Sequence, residues 1–269
     1  MAEGAPKEGP RPEDVLTPKN FLAYLGAAIR LYKPVAFRVA FPFILLGLGF
    51  AIAAEIAVNL VADGNGVTGG SRAGAVVAIR FAQLLAMPLF GSLLAARAAV
   101  LMSQALAGTE GQPMEPSQTG RSHLLAGGML SSFLTFAFTL ALGILGAYVG
   151  PHLILGPPIF VQILALEKGP FDEAWVRTKA FLKGNAMRVF LYLLCAALAL
   201  VMVKILFDAL IFTVLIQLVG LSTARDPAAF LAGASFGLTL SFMSALGLVA
   251  YLELRTRHEE FGIDDLKQP

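Results

Sequence analysis

Long apolar runs alternate along this chain with short segments that mix charged and apolar residues. One mixed segment, 167–190, separates two strongly apolar runs and carries the only tryptophan, Trp175. Its apolar positions recur at the i, i+3, i+4 spacing of a single helix face. Pro170 is a residue type that favours a helix start, and Gly184 is one that favours a stop. The pattern predicts an amphipathic helix over about 170–183.

An earlier segment shows the same arrangement, 150 residues before. It opens with Thr17-Pro18, and Pro34 stands where the later segment has Gly184. The shared order of helix start, amphipathic helix, breaker, arginine and apolar run predicts a second amphipathic helix over about 18–33 and an internal repeat. The identical pairs at this offset are Phe21/Phe171, Lys33/Lys183, Arg38/Arg188 and Val39/Val189.

The apolar runs themselves are long enough to cross a membrane, which takes about 20 residues of helix. The fourth is short and contains Pro157-Pro158, and the fifth is long enough to tilt, bend or project from the bilayer. We therefore predict an all-α fold: a polytopic membrane bundle of six transmembrane helices plus the two amphipathic helices at the membrane interface. The six predicted spans are 35–62, 75–106, 124–149, 152–166, 186–219 and 228–254.

Composition supports the membrane assignment. Hydrophobic residues make up 57% of the 269 positions and charged residues 14%, against about 25% charged in soluble domains. Residues 1–16 are rich in proline, glycine and charge, which is typical of a disordered tail. The predicted domains are this tail, a membrane domain over 17–257 and a second tail over 258–269.

The lysines and arginines lie mostly in the N-terminal region, the central mixed segment and the C-terminal tail. The positive-inside rule then places both chain ends in the cytoplasm, which agrees with an even number of spans. The predicted location is a bacterial-type plasma membrane. The one cysteine, Cys195, excludes an intramolecular disulfide.

Two segments resemble a known family. The central one matches through Glu167, Ala174, Arg177, Thr178, Lys183, Gly184, Asn185 and Arg188, and the C-terminal one through Tyr251, Leu254, Arg255 and Arg257. They are similar to the bacterial membrane domain associated with glycerophosphodiester phosphodiesterases and its uncharacterised six-helix relatives. Lys179, where that family usually has tryptophan, and Glu253, where it has aspartate, depart from the pattern. The resemblance implies a membrane fold but little about activity.

The basic amphipathic segments are candidate sites for anionic lipid headgroups, since each lysine or arginine near such lipid contributes roughly 1 kcal/mol. A tryptophan beside them is suited to the interface. The chain is not expected to bind nucleic acid, and a membrane protein partner or a second copy stays open. The predicted headgroup residues are Trp175, Arg177, Lys179, Lys183 and Arg188, with Arg30, Lys33 and Arg38 in the earlier segment.

Four charged residues fall inside predicted spans, where charge is costly and often functional. Glu55 and Arg80 lie at similar distances from the same loop, and Lys204 and Asp208 are one helical turn apart. They form either a polar cluster in the outer half of the bundle or two ion pairs that only lock helices together.

The sixth span carries a small-residue motif, Gly233 and Gly237, which favours close helix packing within the bundle or between copies. The three histidines are too widely separated to predict a metal site. No catalytic motif stands out, so we predict no cofactor and no enzyme, although a membrane-embedded lipid enzyme is not fully excluded.

Two hypotheses follow. The first is a non-enzymatic scaffold, assembly factor or lipid- and partner-interacting membrane domain. The second is a small transporter or permease subunit that uses the intramembrane charges.

Overall fold

A computed structural model describes residues 16, 18, 20–63, 69–108, 159–167 and 170–259. Within these residues all regular structure is helical. Six helices are labelled here in chain order, and residues 159–166 form a further helical segment. The labelled helices are α1 (Phe21–Tyr32), α2 (Ala36–Asp63), α3 (Gly69–Ala107), α4 (Phe171–Leu182), α5 (Ala186–Val219) and α6 (Leu221–Glu259).

Helix α1 begins later than the sequence predicts. The side-chain oxygen of Asn20 accepts a hydrogen bond of 2.8 Å from the backbone N–H of Ala23, so Asn20, and not Thr17-Pro18, caps the helix. Its far end passes into a 3-10 turn, Lys33–Val35, with right-handed backbone on both sides. The break at Pro34 is therefore weak, and α1 leads almost directly into α2.

Helix α4 confirms the amphipathic helix predicted around Trp175. Pro170 is the N-cap, with extended backbone, and Asp172 and Glu173 occupy the first turn, where negative charge is favourable. The helix is followed by Gly184 at φ 83°, a left-handed conformation that glycine adopts without strain. This turn separates α4 from α5 more sharply than the 3-10 turn separates α1 from α2.

Each short helix is followed by a long one, and three of the four bounds of the two pairs coincide at the predicted offset. The pair α4 and α5 starts and ends its short helix 150 residues after the pair α1 and α2, and its long helix starts 150 residues later too. Burial follows the same register. The aligned buried residues are Tyr24/Ala174, Ala28/Thr178, Leu31/Phe181, Val39/Val189 and Phe43/Leu193.

Four helical stretches of the described chain are long and apolar enough to cross a membrane. They fall on the first, second, fifth and sixth predicted spans, and the fifth, Ala186–Val219, matches its predicted bounds. The predicted third span lies outside the described residues, and only 159–166 of the fourth is described. The coarse architecture is thus an all-helical bundle with four candidate spans. The stretches are Phe21–Val61, Phe90–Ala107, Ala186–Val219 and Pro227–Glu259.

Helix α6 forms the centre of the bundle and packs against all five of the other labelled helices. Its residues 245–252 are completely buried. Around them lie the buried faces of α1 and α4 and the helical segment 159–166. Much of α5 is instead exposed and apolar, including Met202, Val203 and Leu206. A buried central helix with apolar exterior neighbours is the arrangement expected in lipid.

Glycines set the crossing of α2 and α6. A Cβ atom built on Gly47 would lie 2.1 Å from the carbonyl oxygen of Gly233, and one on Gly237 would lie 2.1 Å from that of Phe43. These distances are far below van der Waals contact, so the two backbones meet directly. The structure places both predicted glycines of α6 in packing within the chain, against α2.

Candidate functional site

A network of charged side chains joins α6 to its neighbours at one end of the bundle, called here the basic end. It contains two clusters, one around Glu167 and one around Glu253. Each cluster joins three separate parts of the chain. Its residues are Glu167, Arg177, Arg188, Tyr251, Glu253, Arg255, Arg257 and Glu259.

The Glu167 cluster attaches α4 to the bundle. Glu167 accepts a hydrogen bond of 2.7 Å from the hydroxyl of Tyr251. One of its oxygens lies 2.6 Å from Nε of Arg177, a contact too poorly aligned for a hydrogen bond and so an ion pair. Arg177 also pairs with Glu259 at 2.5 Å, and Arg255 pairs with Glu259 at 3.2 Å. The cluster thus holds α4 against the end of α6.

The Glu253 cluster attaches α5 and the N-terminal segment. Glu253 pairs with Arg188 at 3.1 Å and with Arg257 at 3.2 Å, and its own side chain is only 1% exposed. Arg188 also donates a hydrogen bond of 3.0 Å to the carbonyl of Pro18. Both arginines contact Oε1, and Oε2 is buried without a hydrogen-bond partner among the described residues. Since a buried carboxylate is costly without partners, the two arginines offset only part of the cost of burying Glu253.

A second set of contacts seats the end of α4. A ring nitrogen of His258 lies 3.1 Å from the carbonyl oxygen of Phe181, and the Phe181 ring packs beside Tyr251 and His258. His258 and Glu259 therefore belong to α6, although the sequence assigns them to a tail. Both residues contact α4, so α6 extends two residues into the predicted tail.

The predicted headgroup residues of α4 and α5 divide into two kinds. The guanidinium groups of Arg177 and Arg188 are paired with carboxylates of the same chain. Lys179 and Lys183 are exposed. Trp175 packs edge-to-face against Phe160, with ring centroids 5.6 Å apart, and the ammonium of Lys179 lies 5.3 Å from its ring centre. Of these predicted headgroup residues, the two lysines are the cations without a carboxylate partner in the described part of the chain.

Helix α1 buries the face that the sequence assigns to the membrane interface. The hydroxyl of Tyr24 donates to the carbonyl of Leu246 at 2.6 Å, and that of Tyr32 lies 2.7 Å from Ser241 Oγ. The apolar face of α1 therefore contacts α6. Its predicted headgroup residues are on the outside: Arg30, and then Lys33 and Arg38 in the segments that follow, are exposed.

The predicted intramembrane charges are only partly brought together. Lys204 and Asp208 form an ion pair on α5, and Ser235 of α6 donates a hydrogen bond of 2.7 Å to Asp208. Sequence reasoning missed Ser235, which sits between Gly233 and Gly237 in the small-residue motif.

The other two predicted charges, Glu55 and Arg80, are not shown beside this group. Gly47 contacts Gly233 and Gly237 and is therefore level with Ser235. Glu55 is a buried residue eight positions further along α2, or about 12 Å at the rise of an α-helix. Arg80 belongs to α3, but its side chain lies outside the described part. The polar site that the structure shows is therefore Lys204, Asp208 and Ser235.

Comparisons with protein-family models, curated proteins and solved structures give no match. The resemblance to the membrane domain associated with glycerophosphodiester phosphodiesterases stays a prediction.

Proposed function

We propose that this chain is a non-enzymatic scaffold of the bacterial-type inner membrane that binds anionic lipid headgroups, and through them or beside them a partner, at its basic end. The proposal includes the full six-span topology with both chain ends in the cytoplasm, and a structural repeat relating α1 and α2 to α4 and α5. The coinciding helix bounds at offset 150 support the repeat.

The observation that carries the proposal is the anchoring of α4. Arg177 ties this short helix to Glu167 and Glu259, while Lys179 and Lys183 on the same helix stay exposed. A rigid helix that presents cations beside an apolar bundle is suited to an anionic surface, because little conformational entropy is lost when the lipid binds.

Fluorescence of Trp175 tests this directly, since it is the only tryptophan and lies against Lys179. In vesicles, brominated phosphatidylglycerol should quench Trp175 more strongly than brominated phosphatidylcholine. The difference should shrink as salt rises, because screening shortens the reach of exposed charges. It should also shrink in the double variant Lys179→Gln, Lys183→Gln. Equal quenching by the two lipids in the native chain would reject the lipid part of the proposal.

A small transporter or permease subunit is the second candidate. It is favoured by the polar group of Lys204, Asp208 and Ser235 between two candidate spans. Replacing Lys204 by Met together with Asp208 by Asn separates the two roles. A transport route predicts a folded chain that no longer moves ions in proteoliposomes, whereas a helix lock predicts a lower unfolding temperature and no change in flux.

A further inference from the structure

An arginine of α3 joins the predicted headgroup residue Arg38 at a cleft between α2 and α3. Arg38, near the start of α2, and Arg97, on α3, line a small, shallow opening. Both side chains are exposed, and within the described part of the chain neither guanidinium has a carboxylate or carbonyl partner. They differ in this from Arg177 and Arg188, whose charges are neutralised by glutamates.

Apart from the arginines, the lining of the cleft is apolar. Phe43 and Ala98 are buried at its base, and leucines of α3 form one wall. Pro42, inside α2, also lines it; having no N–H, it leaves the carbonyl of Arg38 without its helical donor and interrupts close packing of the helix. The complete lining is Arg38, Val39, Pro42, Phe43, Leu94, Arg97, Ala98 and Leu101.

The helix lengths leave room for a membrane on one side of the cleft, although α3 continues past Arg97 to Ala107 on the other. From Arg38 to Asp63 at the end of α2 is roughly 25 residues, or about 38 Å of helix. From Arg97 back to Gly69 at the start of α3 is similar. A hydrocarbon layer of about 30 Å fits between the cleft and these opposite ends.

The surface beside the cleft is suited to acyl chains. Phe37 is 78% exposed, Phe41 48% and Leu45 50%, all on α2 close to Arg38. The rings of Phe37 and Phe41 are stacked with centroids 5.6 Å apart. A ligand here would contact two guanidinium groups and an apolar surface together. These match the anionic head and the apolar tail of an amphiphile.

We propose that Arg38 and Arg97 bind the phosphate of one anionic phospholipid, with its acyl chains over the exposed apolar face of α2. Guanidinium groups are preferred for phosphate because their planar fork donates two parallel hydrogen bonds. This inference deepens the proposed function, since it assigns a discrete headgroup site in addition to the lysines of α4.

Native mass spectrometry of the whole chain, released from detergent with phosphatidylglycerol, tests the site. The native chain should retain one lipid, and the double variant Arg38→Gln, Arg97→Gln should retain it at least about tenfold more weakly, since hydrogen bonds to charged groups are the strong ones. The matched control is Arg38→Lys, Arg97→Lys, which keeps both positive charges and removes only the planar forks; it should retain the lipid more weakly than the native chain and more strongly than the glutamine variant.

Further controls distinguish lipid phosphate from free phosphate, and the cleft site from the lipid-binding role of α4. A large excess of inorganic phosphate should not displace the lipid, and phosphatidylcholine should bind more weakly, because its ammonium meets the arginines. If the double variant fails to fold, Arg97→Gln alone should weaken retention several-fold. Equal retention by the native chain and a folded cleft variant overturns the site, as does displacement by free phosphate. If the native chain retains the lipid but its Trp175 quenching does not depend on the headgroup, only the role of α4 is rejected.

Discussion

Replacing Gly47 with alanine should destabilise the bundle by about 3 kcal/mol, near the upper end of the range for overpacking a well-packed site. The added Cβ would lie 2.1 Å from the carbonyl oxygen of Gly233 and 3.0 Å from the backbone nitrogen of Gly237. Backbone atoms cannot move aside as a flexible side chain can. Helices α2 and α6 must therefore move apart, and van der Waals contacts between them are lost. In a membrane this close packing is the main source of helix association, because lipid provides no hydrophobic driving force.

Gly49 provides the matched control two positions away on the same helix. Apart from the neighbouring backbone of α2 itself, no described atom lies within 4 Å of a Cβ built there. Its replacement by alanine should be neutral or stabilising by up to about 1 kcal/mol, since alanine is the better helix former. Thermal unfolding in detergent, followed by Trp175 fluorescence, compares the two. Equal stabilities of the Gly47 and Gly49 variants would mean that α2 and α6 do not cross where the structure places them.

Replacing Glu253 with alanine should cost about 3 kcal/mol, in the range for breaking a buried ion pair by removing one partner. The loss leaves Arg188 and Arg257 facing each other without the carboxylate between them. Because Arg188 also contacts the Pro18 carbonyl, the N-terminal segment should loosen along with α5.

Glu259 is the comparison for this substitution. It also pairs with two arginines, Arg177 and Arg255, but its side chain is 32% exposed. Its replacement by alanine should change the free energy of unfolding by less than about 1 kcal/mol, as for surface pairs. Chemical denaturation of the two variants gives the difference. A loss at Glu259 as large as that at Glu253 would contradict the burial argument.

The sequence predicts helix bounds well where polar or flexible residues border an apolar run. Helix α5 ends at Val219 because Gly220 follows with φ 82°, a conformation that ends a helix readily. The i, i+4 spacing likewise identifies the Lys204–Asp208 pair. Both features depend on residues close together in the chain, so they can be predicted from the sequence alone.

The partners of each helix face are harder to predict. Periodicity shows that α1 has an apolar face but not whether that face meets lipid or protein, and Tyr24 turns out to contact Leu246 of α6. The pairing of Arg177 with Glu259 joins residues far apart in the chain. The cleft of Arg38 and Arg97 depends in the same way on how α2 and α3 pack. No local sequence pattern predicts any of these contacts.

The depth of the basic end in the bilayer tests the account most directly. Spin labels placed on single cysteines at Lys179 and, separately, at Leu206, in a chain with Cys195 replaced by serine, report this depth by power saturation. Both positions are exposed on the protein. The account predicts that the label at 179 meets the water-soluble relaxant and that the label at 206 meets oxygen dissolved in hydrocarbon. A label at 179 within the hydrocarbon, or one at 206 in water, would contradict it.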